Sequence, residues 1–291
     1  MTDALPLKPD LGRFGVWIAL VGPAMGQLSP AQAVEIERLG YGAVWVGGST
    51  SADLSFVEPI LAQTESLTVA TGIVNIWWSA AKAVAESYHR IERAYPGRFV
   101  LGVGAGHPEH IEVYRKPYDA LVEYLDELDR YAVPTSRRVV AALGDGVLGL
   151  AARRSAGAHP YLITPEHTAH AREVMGNTVF LAPEHKVVLC SDVDEARAIG
   201  RTTIGFYLDL SNYVNNWKRL GFTDADVAKP GSDQLLDAVV AHGTADQVAK
   251  RLSEHLEAGA DHVAIQVLGD WDQLLPTLTE LAGALGLTKR A

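Results

Sequence analysis

Apolar and polar positions along this chain repeat one phrase: a helical pattern closes on a glycine, and a short apolar run begins within a few residues. The phrase occurs at Leu39-Gly40-Tyr41-Gly42 before Ala43-Val44-Trp45-Val46, at Ala156-Gly157 before Ala158-His159-Pro160-Tyr161-Leu162-Ile163, and at Ala258-Gly259-Ala260-Asp261 before His262-Val263-Ala264-Ile265. Each glycine falls where a helix C-terminus takes a left-handed residue. Helix starts are marked too. Ser29 before Pro30 reads as an N-cap with proline at the first helical position, and Thr244-Ala245-Asp246-Gln247 reads as a capping box ahead of Val248, Leu252 and Leu256. Apolar runs place strands over 14–20, 43–46, 67–76, 98–103, 138–143, 158–163, 185–190 and 262–268, with helical patterns between them. Eight strands alternating with helices predict an α/β fold, a single (β/α)8 TIM-barrel domain over 1–291, in preference to an open doubly wound sheet. Between the seventh and eighth strands, 192–242 holds more chain than one helix needs. That excess predicts a helical insertion at the barrel mouth, with a plain surface excursion or a homodimer interface as the alternatives.

Composition narrows the partners. The 291 residues are 48% hydrophobic and 21% charged, enough to bury a full-sized core. A formal net charge of −10 argues against nucleic acid or an anionic membrane surface, both of which favour a basic face. Cys190, the one cysteine, excludes an intramolecular disulfide framework and suits a reducing, cytoplasmic setting. Lys8 and Arg13 precede an apolar segment, but Asp3, Asp10 and the β-rich Val16-Trp17-Ile18 favour a first strand over a signal peptide. No apolar stretch is long enough to span a bilayer.

In such a barrel the chemistry sits at the C-terminal ends of the strands. These rims fall at 47–50, 75–78, 104–110, 144–145, 161–164 and beyond Cys190. After the third strand, Asn75 stands beside Trp77 and Trp78, which suits an aromatic ligand or a packed strand end. The fourth strand follows Pro96-Gly97 and opens through Gly102, Gly104, Ala105 and Gly106, where a missing Cβ admits either a flat ligand or a neighbouring helix. His107-Pro108-Glu109-His110 then forms the densest ionisable cluster on any rim, able to hold and relay a proton near neutral pH. Its spacing matches no recognised zinc or iron signature, so no metal is assigned. His159, His167 and His170 are read as packing or capping residues around Pro165-Glu166.

After the fifth strand, Ala142-Leu143-Gly144 leads directly into a helix. The backbone N–H groups there offer a phosphate site, although Asp145 could satisfy the same donors. No Walker or Rossmann fingerprint is present.

The order of these features resembles the bacterial luciferase-like flavin and deazaflavin oxidoreductases. The resemblance is carried by Trp45 after Gly40 and Gly42, Thr68-Val69-Ala70-Thr71-Gly72-Ile73, the helix over 83–93, and Pro96-Gly97-Arg98-Phe99 through to Gly106. A subgroup dependent on coenzyme F420 is similar also in 138–144, 157–161, 164–168, 212–214 and 258–263. The resemblance implies a (deaza)flavin ring lying against a bulge near Gly72, Ile73 and Asn75, a bulge that often contains a non-prolyl cis peptide. It implies further that Gly104, Ala105, Gly106 and His107 edge the ring and that Ala142, Leu143 and Gly144 approach the ribityl phosphate. The Asp-His pair that sugar-phosphate dehydrogenases of this superfamily carry after strand two is replaced here by Gly47-Gly48-Ser49, which disfavours that substrate. The activity implied is hydride transfer between F420 and a small organic substrate. Other members carry other polar residues where this chain has His107, so the proton donor is chosen on chemistry instead: His107 first, as an acid near neutral pH at the ring's edge, and Glu109 second. An FMN-dependent monooxygenase, a non-redox hydrolase or isomerase centred on 107–110, and a cofactor-binding protein with little catalysis are the alternatives.

Overall fold

Alternation decides which side of each strand faces inward. In β2 (Ala43–Gly47), Val44 and Val46 point out to the helices while Ala43 and Trp45 point into the barrel. A computed structural model describes residues 8–19, 28–48, 51–107, 109 and 115–288; the sequence expectations at Leu20, Ser49, Thr50, Pro108 and His110 lie outside these residues. Besides β2, the strands are β1 (Phe14–Ala19), β3 (Thr68–Thr71), β4 (Val74–Asn75), β5 (Phe99–Gly104), β6 (Arg138–Val140), β7 (Gly157–Ala158), β8 (Phe180–Leu181), β9 (Glu184–Val188), β10 (Val240–His242) and β11 (Val263–Val267). Every pair is parallel. β3 with β4 and β8 with β9 are the two parts of interrupted staves, and β10 lies beside β9 outside the ring, so eight staves close as β11-β1-β2-β3/β4-β5-β6-β7-β8/β9. The fold is the expected α/β barrel.

Small inward residues such as Ala70, Ala156, Ala182 and Ala264 leave room inside the barrel for Trp17, Trp45 and Phe180. The helices that cover the outside start where the sequence marked them. Ser29 and Gln32 close a capping box on Pro30–Arg38, and Thr244 and Gln247 close another on Ala245–Glu257. Each such cap contributes about 1 kcal/mol.

Several sequence expectations need correction. Gly40 and Gly259 hold the left-handed φ of helix ends, +94° and +101°, but Gly157 does not. It lies in β7, where a Cβ would come within 1.7 Å of the Phe180 carbonyl oxygen, so its glycine serves strand packing. The third strand is not continuous over 67–76 but breaks at a cis Gly72–Ile73 peptide, the bulge that the resemblance implied, and the fifth ends at Val140. The sixth shrinks to two residues because the chain turns away at Pro160 and Leu162, the latter with φ +58°. Residues 192–242 contain helices Val193–Tyr207, Ser211–Arg219, Asp224–Val227 and Asp233–Val239 and then β10, a strand the pattern did not indicate. These helices have a core of their own around Ile204, Trp217, Leu236 and Val240.

Candidate functional site

A cavity of about 980 Å³ opens at the C-terminal ends of the strands. On one side the chain approaches it with little side chain. Gly72 and Ile73 at the β3 break, Asn75, the 105–107 rim and Ala142-Leu143-Gly144 all border it. Nine of the eleven residues given a catalytic or cofactor-binding role in the sequence therefore meet in one place: Gly72, Ile73, Asn75, Ala105, Gly106, His107, Ala142, Leu143 and Gly144. Gly104 stands behind this wall, since a Cβ on it would lie 3.0 Å from Ala141 Cβ and 3.1 Å from Ile73 Cγ1.

The rims of β4 and β5 hold each other. Asn75 Oδ1 accepts from the Trp77 amide at 2.9 Å, and Trp77 Nε1 donates to the Ala105 carbonyl at 2.7 Å. Gly106, with φ +61°, makes room for the Asn75 amide, which a Cβ would approach to 2.5 Å. Trp78 borders the cavity and stays 61% exposed.

His107 faces the cavity and is positioned from across it. Its Nδ1 lies 3.3 Å from Asn212 Oδ1, and its ring packs 5.4 Å from that of Tyr213. Glu109 is not on the wall. Its Oε1 accepts from the Ser211 amide at 2.9 Å, at the start of helix Ser211–Arg219. Burial opposes ionisation there, but the hydrogen bonds from Ser211 hold the carboxyl below its ordinary value. Glu109 thus ties the β5 rim to that helix.

At Gly144 the helix Asp145–Arg154 begins with no side-chain cap. Asp145 bonds His170 Nε2 at 2.7 Å, a contact that lowers the carboxyl pKa. Arg219 borders the same part of the cavity, and its Nη2 is the nearest atom, 4.0 Å away, to where a Gly144 Cβ would stand.

Two buried nitrogens border the cavity without hydrogen-bond partners among the described residues. They are Trp17 Nε1 and His159 Nε2, and a Cβ on Gly72 would lie 2.7 Å and 3.1 Å from them. His159 stacks on Trp45 with ring centres 4.1 Å apart, and its Nδ1 donates to the Ala182 carbonyl at 2.6 Å. Burial pushes its pKa down to about 4, so Nε2 is an acceptor at neutral pH. His167 has a packing role, donating through Nε2 to the Leu143 carbonyl at 2.8 Å.

The opposite wall was not foreseen. Glu184 and Lys186, at i and i+2 in β9, turn to the same inner side, while His185 and Val187 turn out to the helices. Lys186 Nζ donates to Glu184 Oε1 and Gln266 Oε1, both at 3.0 Å, and sits 3.8 Å from the centre of the Tyr161 ring. Burial pushes Lys186 down, to about 8, and pushes Glu184 up. Tyr161, Tyr207, Tyr213 and Gln266 stand between this pair and the cavity. The available signal was two opposite charges spaced two apart, just ahead of the apolar run Val187-Val188-Leu189.

Residues 14–262 match the family model described as luciferase-like monooxygenase. The chain belongs to that family. Among solved structures of similar fold, an F420-dependent secondary alcohol dehydrogenase in complex with an F420-acetone adduct superposes with a TM-score of 0.71 at 15% identity, covering 94% of this chain and 98% of that one. A coenzyme F420 dependent tetrahydromethanopterin reductase from Methanopyrus kandleri gives 0.69 at 13% identity, over 94% and 99% of the two chains. The oxygenating constituent of 3,6-diketocamphane monooxygenase from Pseudomonas putida, in complex with FMN, gives 0.65 at 16% identity, over 96% and 100%. A comparison with curated protein sequences found no match. As in these luciferase-like folds, the chain is a parallel barrel wrapped in helices. No helix among the described residues is long and apolar enough to cross a membrane.

Proposed function

We propose that this luciferase-like protein is an F420-dependent oxidoreductase acting on a small organic molecule. One observation carries the reading: the Gly72–Ile73 break, the 105–107 rim and the Gly144 helix start border a single cavity of about 980 Å³. That volume is at the upper end for small-molecule sites and suits a tricyclic ring with its tail plus a substrate. Gly72, Ile73 and Asn75 would take the face of the ring, with Ala105, Gly106 and His107 at its edge. Gly144 and the helix N-terminus behind it would receive the ribityl phosphate, with the Arg219 guanidinium nearby to offset its charge.

Bound F420 would supply the hydride chemistry. His107, oriented by Asn212 and Tyr213, would exchange a proton at the cavity wall, while Glu109 keeps helix Ser211–Arg219 docked to the rim. The preference for F420 over FMN rests on the motifs at 138–144, 157–161 and 258–263.

The test is a pair of dissociation constants, for F420 and for FMN, measured on purified protein. F420 should bind more tightly. Tighter FMN binding with oxygen consumption by reduced FMN would move the assignment to a flavin monooxygenase. Binding of neither would return it to a non-redox barrel enzyme or an unassigned binding protein.

A further inference from the structure

The wall formed by β9, β11 and the end of β7 has a polar arrangement that the cofactor assignment leaves unused. Lysine has only protons to give, so the Gln266 side-chain atom 3.0 Å from Lys186 Nζ is the amide oxygen. The Tyr161 hydroxyl donates to the same oxygen at 2.8 Å. With its own proton committed, Tyr161 accepts from the Tyr207 hydroxyl at 2.9 Å. Glu184 completes the arrangement by accepting from Lys186 and, through Oε2, from the Leu162 amide at 3.0 Å. Two donors therefore hold the Gln266 oxygen on one side, and the amide nitrogen is left for the cavity. That nitrogen makes no hydrogen bond to any described residue, although Gln266 is 5% exposed and borders the cavity.

A flat ring stands on the neighbouring strand. The β1–β11 register pairs Val16 with Ile265, which brings Trp17 next to Gln266 on the inner side, while Trp17 Nε1, buried without a partner among the described residues, lies toward Gly72. The surroundings are flat and apolar, with Trp17 and Tyr161 ring centres 5.0 Å apart and Tyr207 and Tyr213 ring centres 5.0 Å apart. Around the ring of eight staves β11 lies four from β5, so this wall faces the rim assigned to the cofactor.

We infer that Gln266 is a substrate-anchoring residue that donates from its amide nitrogen to the carbonyl oxygen of a planar, largely apolar substrate, with Lys186 and Tyr161 as positioning residues that fix which way the amide points. The inference rests on the proposed cofactor placement only for its choice of substrate over cofactor.

Acetophenone and ethylbenzene differ by that carbonyl oxygen and serve as probes, with binding read by ligand-observed NMR on the full chain, alone and saturated with F420 or FMN. Wild type should bind acetophenone roughly five- to tenfold more tightly than ethylbenzene, the span of one hydrogen bond. Gln266→Leu, and independently Gln266→Glu, which keeps the acceptor for Lys186 but has no N–H, should abolish that preference. Ethylbenzene, F420 and FMN affinities should stay within about threefold, less than one such bond. The double variant Glu184→Gln with Lys186→Met should lose the preference in the same way, a change in selectivity that a purely structural role would not produce.

An unchanged acetophenone preference in both folded Gln266 variants overturns the inference. So does an equal loss for ethylbenzene, or a loss transferred to F420 or FMN. If neither cofactor binds while the acetophenone preference and its loss persist, the cofactor reading fails and the anchoring role stands.

Discussion

The two walls of the cavity are built on opposite plans. The wall from β3 to β6 is shaped by side chains that are missing or small, with Gly72, Ala105, Gly106 and Gly144 bringing backbone to the surface. The wall from β7, β9 and β11 is shaped by large polar side chains that satisfy one another, Lys186 with Glu184 and Gln266, and Tyr161 with Gln266 and Tyr207. The first plan gives a surface that a flat or anionic group can approach closely. The second fixes donors in direction at the expense of burying charge, which is favourable only while every partner is present.

Removing one partner should have the largest effect. Lys186→Met leaves the Glu184 carboxylate buried without its cation and should lower the unfolding free energy by about 3–5 kcal/mol, whereas the double variant with Glu184→Gln should recover most of it. Urea denaturation of the two variants checks this. Equal losses in both would mean that the pair matters for shape and not for charge.

On the other wall, His107→Asn should reduce turnover by roughly 10²–10⁴-fold with the cofactor dissociation constant little changed. Steady-state kinetics across pH should also show one ionisation lost. Turnover within about threefold of wild type, below the low end of that range, would remove His107 from the chemistry.

Acid should weaken the buried core next, inside the barrel at His159 and His262 and under the helices at His255. Burial lowers His159 and His262 to about 4 and His255 to about 3, so the unfolded chain binds more protons than the folded one between those values and 6.5. Their contribution is complete above pH 6.5 and is lost as pH falls through the folded values. Between pH 7 and pH 5 each should cost about 1–2 kcal/mol. Denaturation midpoints at the two pH values measure it, and a flat response would place these rings in contact with water.

The smallest effect is expected at Gly144. A side chain fits there, with Arg219 Nη2 the nearest atom at 4.0 Å, so Gly144→Val should fold normally and weaken cofactor binding by about tenfold. Unchanged affinity would move the tail toward 164–167.

Legibility followed the same division. The caps at Ser29 and Thr244 and the glycine-rich rim after β5 are local signals, and they could be read from neighbouring residues alone. The strand limits were less legible, because Leu162 leaves the ladder and Phe180 joins it for tertiary reasons that no local pattern carries. Glu109 looked like an acid beside a histidine, and the fold uses its carboxylate on Ser211, 102 residues away. Glu184 lay outside the strand expected over 185–190, so its pairing with Lys186 could not be read from that strand.

The sequence by itself determined the alternation of strand and helix, the barrel and the glycine-built wall, because those depend on spacing and on backbone freedom, which are properties of adjacent residues. Only the tertiary structure decided that Lys186 and Tyr161 would meet on one amide oxygen of Gln266, 80 and 105 residues away. Hydrogen-bond direction between distant strands depends on barrel closure and register, and those exist only once the ring has formed.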